Sequence, residues 1–249
     1  MRFGNDKAGI EITIEGGVAD VRLDRPDKLN AMSPPMFEAL GETIDWLSGQ
    51  DKLRCVVLSG NGRSFCVGLD LASLDGGIVS LEPRTHGIAN WLQHVALGWR
   101  NLPMPVVTAI TGHAFGAGLQ IALGADIRLA SPDAQLSFME MRHGLVPDLA
   151  AFVLARGVIR EDVFRDLVYT ARKVSGEEAA SLGLVTRISS DPLAEAKVLA
   201  QQIAEASPDA IRAAKQLFAQ MGEAEPAAML LAESQAQQRL IAKLVHSKS

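Results

Sequence analysis

Two glycine-rich turns carry the first hint of chemistry: "GNGRSFCVGLDL" (60–71) and "GHAFGAGLQ" (112–120), each following an apolar run. A turn of this kind ahead of a helix aims backbone N–H groups at an anion or a polarised oxygen. A P-loop would end in Gly-Lys-Ser/Thr, and the chain has no such triplet. A dinucleotide fingerprint would read G-x-G-x-x-G, whereas here the order is Gly112-x-x-x-Gly116-x-Gly118. Spacing alone leaves two readings open. Either each turn gives one N–H to the same carbonyl oxygen, forming an oxyanion hole, or the glycines serve only tight turns and close packing.

The polar side chains near these turns narrow the chemistry. Gln120 stands alone among aliphatic neighbours; its amide cannot transfer a proton near neutral pH, although it can orient a water. His113 and His143 titrate near neutrality, but neither lies in a pattern that needs it, and both are expected in structural or rim positions. No His/Cys/carboxylate cluster has ligand spacing, so no metal is expected. No Gly-x-Ser-x-Gly elbow for serine hydrolysis occurs either.

These residues need elements to position them. "IEITI" (10–14) and "VADVRL" (18–23) alternate as strands do, and Gly16-Gly17 between them signals a hairpin turn. "SPPMFEALGETIDWL" predicts a helix with Ser33 as N-cap, prolines in the first turn, and Met36, Ala39, Leu40, Ile44 and Leu47 on one face. "RCVVLSG" (54–60) and "MPVVTAITG" (104–112) read as buried strands, and "DIRLASPDAQLSF" (126–138) as two short strands about a Ser-Pro-Asp turn. Strands alternating with helices place the chain in the α/β class. Beyond Arg172 the sequence becomes rich in Ala, Leu and Gln with Ser-Gly and Ser-Pro caps, which predicts helices. A core over 1–190 and a helical region over 191–249, packed against a partner subunit, are expected.

Composition excludes whole classes of function. The 249 residues, 48% hydrophobic and 21% charged, suffice for one large domain with a sizeable core. A formal charge of −5 and the lack of a basic run argue against nucleic-acid binding. Residues 101–125 carry no charge, a span long enough for a membrane helix, but Pro103, Pro105 and the three glycines break it. No membrane association is expected. Two cysteines, Cys55 and Cys66, give no disulfide framework, and "MRFGNDKAGIEI" has no signal-peptide core, so a cytoplasmic protein is expected.

The motifs "RPDKLNAM", "FCVGLDL", "GHAFGAGLQIALGADI", "HGLVPD", "SGEEAASLGLV" and "SPDAIRAAK" occur in an order and spacing that resembles the crotonase superfamily, the enoyl-CoA hydratases and isomerases. The resemblance runs from about residue 10 to about residue 240. It implies a crotonase-like spiral of ββα units with a helical C-terminal region, assembled as a homotrimer or a hexamer of two trimers. The implied substrate is an acyl-CoA thioester, with no separate cofactor because coenzyme A is part of the substrate.

Residue by residue, the resemblance gives the backbone N–H groups of Leu69 and Ala117 to the oxyanion hole, with Gly116 beside the substrate. It puts Cys66, Val67, Gly68, Asp70 and Leu71 near the nucleotide, and Lys28 near the coenzyme A phosphates. Typical hydratases of the family have two glutamates; here the first position is Gln120 and the second is Glu140. Asp148, eight residues further on, stands where many hydratases have glycine. Glu140 and Asp148 together resemble the acid–base pair of Δ3,5-Δ2,4-dienoyl-CoA isomerases, whose third carboxylate falls at Gln120. Double-bond isomerisation is therefore expected ahead of hydration by Glu140 with a Gln120-held water. Thioester hydrolysis, carbon–carbon cleavage, and a non-catalytic acyl-CoA-binding subunit are the rivals. Asp148 has a plainer alternative role, as a helix cap ahead of "LAAFVLA". The segment 71–95 is expected to wall the acyl pocket.

Overall fold

The structure is a computed structural model that describes residues 2–3, 8–73, 80–222 and 224–246. The elements run β1 (Arg2–Phe3), β2 (Ile10–Glu15), β3 (Val18–Leu23), α1 (Pro34–Ser48), β4 (Cys55–Gly60), α2 (Trp91–Asn101), β5 (Val106–Ile110), β6 (His113–Phe115) and α3 (Ala117–Leu123). They continue with β7 (Ile127–Ala130), β8 (Gln135–Ser137), α4 (Ala151–Leu154), α5 (Glu161–Thr170), β9 (Val174–Ser175), α6 (Gly176–Ser181), β10 (Arg187–Ile188), α7 (Pro192–Glu205), α8 (Pro208–Gln220) and α9 (Pro226–His246). Residues 74–79 of the expected acyl-pocket wall lie outside the described residues.

Seven strands form one sheet in the order β1-β2-β3-β4-β5-β7-β10, and β6-β8-β9 form a second. The predicted hairpin pairs Glu15 with Val18 across Gly16 and Gly17, both at positive φ, the turn that suits the twist of paired strands. From β3 to β10 all neighbours are parallel. Parallel strands need a crossover, and here each crossover contributes a bridge or a short strand to a second layer. The chain leaves β3 through Met32 into α1, β4 through Cys66 and Leu69 into α2, β5 through β6 into α3, and β7 through β8 into α4. Bridges Met32–Leu69 and Cys66–Ala114, then the β6–β8 pairing, join each of these passages to the next. The result is a spiral in which each turn gives a strand to the large sheet and a bridge or short strand alongside the small one.

Burial follows from this layering. β4 (CVVLSG) and β5 (VVTAI) are covered on both faces, so their sequences are continuous apolar runs rather than alternating ones. One face packs on α1, whose Met36, Leu40, Ile44 and Leu47 are almost wholly buried; each such side chain contributes about 1.5–3 kcal/mol relative to exposure. The other face packs on α7, where Ala196 and Ala200 meet Val57, Val107 and Leu129. The helical region expected from 191 onward thus divides. α7 closes the main sheet, whereas α8 and α9 pair with each other, and Phe218, Met221, Leu230, Leu231, Ile241 and Leu244 remain exposed. Among the described residues no helix is long and apolar enough to cross a membrane.

Candidate active site

The two glycine-rich turns meet at the small sheet. The Cys66 N–H donates to the His113 carbonyl and the Phe115 N–H donates to the Cys66 carbonyl, both at 2.9 Å. The Gly116 N–H donates to the Ser137 carbonyl at 2.9 Å, which fixes the approach to α3. Two of the glycines owe their place to this contact. A Cβ on Gly118 would lie 2.5 Å from the Cys66 carbonyl oxygen. Gly68 sits at φ +96, and a Cβ there would lie 2.9 Å from the Phe115 carbonyl oxygen. Close packing, the plainer sequence reading, is real. It also brings the backbone of one turn against the other, because that same Cβ position on Gly68 is 3.7 Å from the Ala117 nitrogen.

The N–H groups of Leu69 and Ala117 are left over by this arrangement. At the Met32–Leu69 bridge the hydrogen bonds run from the Met32 N–H to the Gly68 carbonyl and from the Asp70 N–H to the Met32 carbonyl, at 2.8 and 2.9 Å. A parallel bridge of this pattern turns the Leu69 N–H to the opposite side. Ala117 is the first residue of α3, and a helix has no internal acceptor for its first N–H groups. Among the described residues neither N–H has a hydrogen-bond partner. Two free donors at abutting turns, one at a helix N-terminus, can hold an oxygen that acquires negative charge.

Gln120 is wholly buried, and its amide polarity is fixed from one side. The Leu149 N–H donates to its Oε1 at 2.8 Å, so the Nε2 must face the other way, where it donates to Glu140 Oε1 at 2.6 Å. Each end of the amide makes one bond to the protein. The side chain thus positions Glu140, and as an amide it supplies no proton of its own. Glu140 opens a short 3-10 turn (Glu140–His143), and its buried Oε2 has no hydrogen-bond partner among the described residues. An unpaired buried carboxylate oxygen is costly and marks a place where chemistry, rather than stability, sets the residue. Burial raises the Glu140 carboxyl above the ordinary glutamate range and the neighbouring Asp148 charge adds to this, against the Gln120 hydrogen bond, its own backbone N–H and His143.

Asp148 is half-buried, and burial raises its carboxyl as well. It caps no helix: α4 begins after Ala150, which occupies the N-cap position in a left-handed conformation with no side-chain cap. The Asp148 charge thus acts on Glu140, and the fold gives Asp148 no helix to cap.

Other expected residues divide. Lys28 is exposed at the end of the 3-10 turn Pro26–Lys28, next to the loop whose Leu29 carbonyl accepts the Val67 N–H at 3.2 Å. Leu71 is exposed and Val67 half-buried. Asp70 is paired with Arg25 at 3.1 Å, a link that ties the loop to the turn. Cys66 requires correction. It is fully buried, its backbone is used by the Ala114 bridge, its Sγ accepts from the Gly68 N–H at 3.4 Å, and burial pushes its thiol up to about 12. Cys66 backs the site and cannot touch a ligand. Gly68, also buried, acts likewise through its conformation. His113 bonds Ser64 Oγ through Nδ1 at 2.8 Å and His143 is exposed, the structural and rim positions expected.

Three groups escaped the sequence reading. Asn30, fully buried, accepts from the Arg25 N–H and donates to the Asn61 and Ser64 carbonyls, which shapes the loop under the first turn. Lys215 of α8 is buried against Asp126 and the Trp99 and Met104 carbonyls, anchoring the C-terminal helices. Asp45, His86 and His94 come together although 41 and 8 residues separate them. No local signal in the sequence marks any of the three.

Set beside proteins of known structure, the spiral is the crotonase fold. A crystal structure from Thermobifida fusca YX, assigned as an enoyl-CoA hydratase and solved in complex with CoA, superposes with a TM-score of 0.87 at 33% identity, covering 97% of this chain and 96% of that one. A Thermus thermophilus protein assigned as an enoyl-CoA hydratase is 35% identical over 198 residues, 78% of this chain and 77% of its own. Carnitinyl-CoA dehydratase of Salmonella enteritidis is 30% identical over 203 residues, 80% of this chain and 76% of its own. Residues 13–249 match the sequence pattern of the enoyl-CoA hydratase/isomerase family. The chain belongs to that family and is an enzyme of it.

Proposed function

We propose that the enzyme moves a carbon–carbon double bond in an unsaturated acyl-CoA thioester through an enolate. The observation that carries this reading is the buried, unpartnered Oε2 of Glu140 beside a second carboxylate, Asp148, that caps nothing. Glu140 Oε2 takes a proton from a carbon conjugated with the thioester, and the electron pair moves onto the carbonyl oxygen. The N–H groups of Leu69 and Ala117 hold that oxygen. Asp148, kept protonated more readily by its burial, returns a proton to a remote carbon as the electron pair moves back. Solvent then resets both carboxyls. Migration needs a base and an acid at different carbons, which two separate carboxylates supply. Hydration instead needs a water held between two proton-transfer groups, and the Gln120 amide is not one.

The CoA complex of the Thermobifida fusca protein supports a CoA thioester as the ligand of this chain. Lys28, Val67, Asp70 and Leu71 form the edge we assign to its nucleotide end. Exposed apolar side chains on α8 and α9 suit a homotrimer or a pair of trimers, with light scattering as the check; a monomer at micromolar concentration would reject that assembly. A panel of enoyl- and dienoyl-CoAs, with products identified by mass, tests the reaction. Isomerisation leaves the mass unchanged, whereas a product heavier by one water would assign hydration, the activity in the Thermus relative's name.

A further inference from the structure

We propose that Asp45, His86 and His94 form a binding site for one divalent transition-metal ion of the zinc class, independent of the reaction above. Asp45 lies on α1, His94 on α2, and His86 in the tight turn just before α2. Their three ligand atoms lie within 4.8 Å of one another. His94 Nε2 is 2.9 Å from Asp45 Oδ1, and His86 Nε2 is 3.8 Å from Asp45 Oδ2. The two imidazoles stack with centroids 4.0 Å apart and planes 13° from parallel. Both rings thus turn the same nitrogen toward one carboxylate. Two imidazoles and a carboxylate are ligands that zinc takes at about 2.0–2.2 Å, with water in the remaining position of an open tetrahedron. Closing the three atoms onto one ion takes a shift on the order of an ångström, which the exposed Asp45 side chain can supply.

The scaffold around the cluster is built independently of any ion. Backbone hydrogen bonds between His86 and Ala89, at 3.0 and 3.1 Å, close the turn that presents His86. Asn90 caps α2 in a reciprocal pair with Gln93 and also donates to the Leu81 carbonyl at 2.8 Å. Phe37 and Trp91 pack edge to face, holding α1 against α2. A hydroxyl also supports a ligand from behind: Thr85 Oγ1 lies 2.9 Å from His86 Nδ1, the outer contact that fixes a ligating ring's tautomer. With a metal bound, segment 80–90 is stapled to α1.

The test uses the full chain, free of affinity tags and stripped with chelator. Zn²⁺ is titrated by calorimetry, and Co²⁺ binding is followed by its visible absorption. The expected result is saturation at one equivalent per chain, a tetrahedral cobalt spectrum, and a Tm that rises with zinc. His86→Ala lies in an exposed turn and should fold normally, yet weaken binding by more than the roughly 10–100-fold that loss of an outer partner costs. Asp45→Asn should do the same. Absence of one-equivalent binding in the parent chain would overturn the proposal, as would undiminished binding in both variants.

Discussion

Replacing Gln120 by Glu tests the geometry at its tightest point. In the parent chain the amide accepts from the Leu149 N–H and donates to Glu140 over 2.6 Å. A glutamate keeps the first bond but loses the donor, and sets two carboxylates in direct contact at a buried site. At an effective dielectric of 20, two full charges 2.6 Å apart repel by ~6 kcal/mol. Protonating an ordinary glutamate at pH 7 costs roughly 4 kcal/mol, from 1.36 kcal/mol for each pH unit above about 4.3. Proton uptake wins. The variant should therefore fold with one proton shared between residues 120 and 140 and titrate as a pair. Its net charge should equal that of the parent, and native electrophoresis near neutral pH should show no shift. An added surface glutamate would move the band by a full charge. With two proton-transfer groups flanking the oxyanion donors, water addition should also rise relative to isomerisation. A full extra negative charge at pH 7, in a folded variant, would refute the contact between the two side chains.

Glu140→Gln should leave acyl-CoA affinity nearly intact and lower turnover by roughly 10²–10⁴-fold in steady-state assays, the usual worth of one positioned proton-transfer group. Because burial raises the Glu140 and Asp148 carboxyls, the native state keeps protons that the unfolded chain has already released. Stability then falls as pH rises through the window between ordinary and raised values, so Glu140→Gln should raise Tm at neutral pH and lose that advantage in acid. Because the competent state has one of the two carboxyls protonated and the other ionised, the rate profile should be bell-shaped, falling in acid where both are protonated and in alkali where both are ionised. Asp148→Asn should cut double-bond migration comparably, and kinetics of the double variant should show losses that do not multiply. Lys215→Ala, which leaves Asp126 and two carbonyls without their cation, should cost about 3 kcal/mol in urea denaturation while activity per folded molecule is kept.

Much of the fold was legible because its signals are local. The β2–β3 hairpin shows in a Gly-Gly pair at positive φ, and α1 in its 3.6-residue apolar spacing with proline at the start. The central strands show as uninterrupted apolar runs, since parallel strands are covered on both faces. Of the small sheet only β8 showed, as the second short strand of "DIRLASPDAQLSF"; β6, β9 and single bridges such as Met32–Leu69 have no period to detect. "MPVVTAITG" reads as one strand, yet Gly112 passes the chain from the large sheet to the small one. At the site, the turns and carboxylates were readable as types. What Gln120 does was not, because its orientation is set by an N–H 29 residues away. Cys66 was misplaced because a motif position does not reveal which side of a bridge a side chain occupies. The Asp45, His86 and His94 cluster is long-range in the same sense: only the packing of α2 on α1 creates it.

The most direct measurement is the mass of the product formed from a 3,5-dienoyl-CoA in deuterated water, compared between the parent chain and Asp148→Asn. Two carboxylates acting at separate carbons predict an isomer of unchanged formula, carrying solvent deuterium at the remote carbon, formed much more slowly by the variant. A product heavier by one water, made equally well by both proteins, would contradict it.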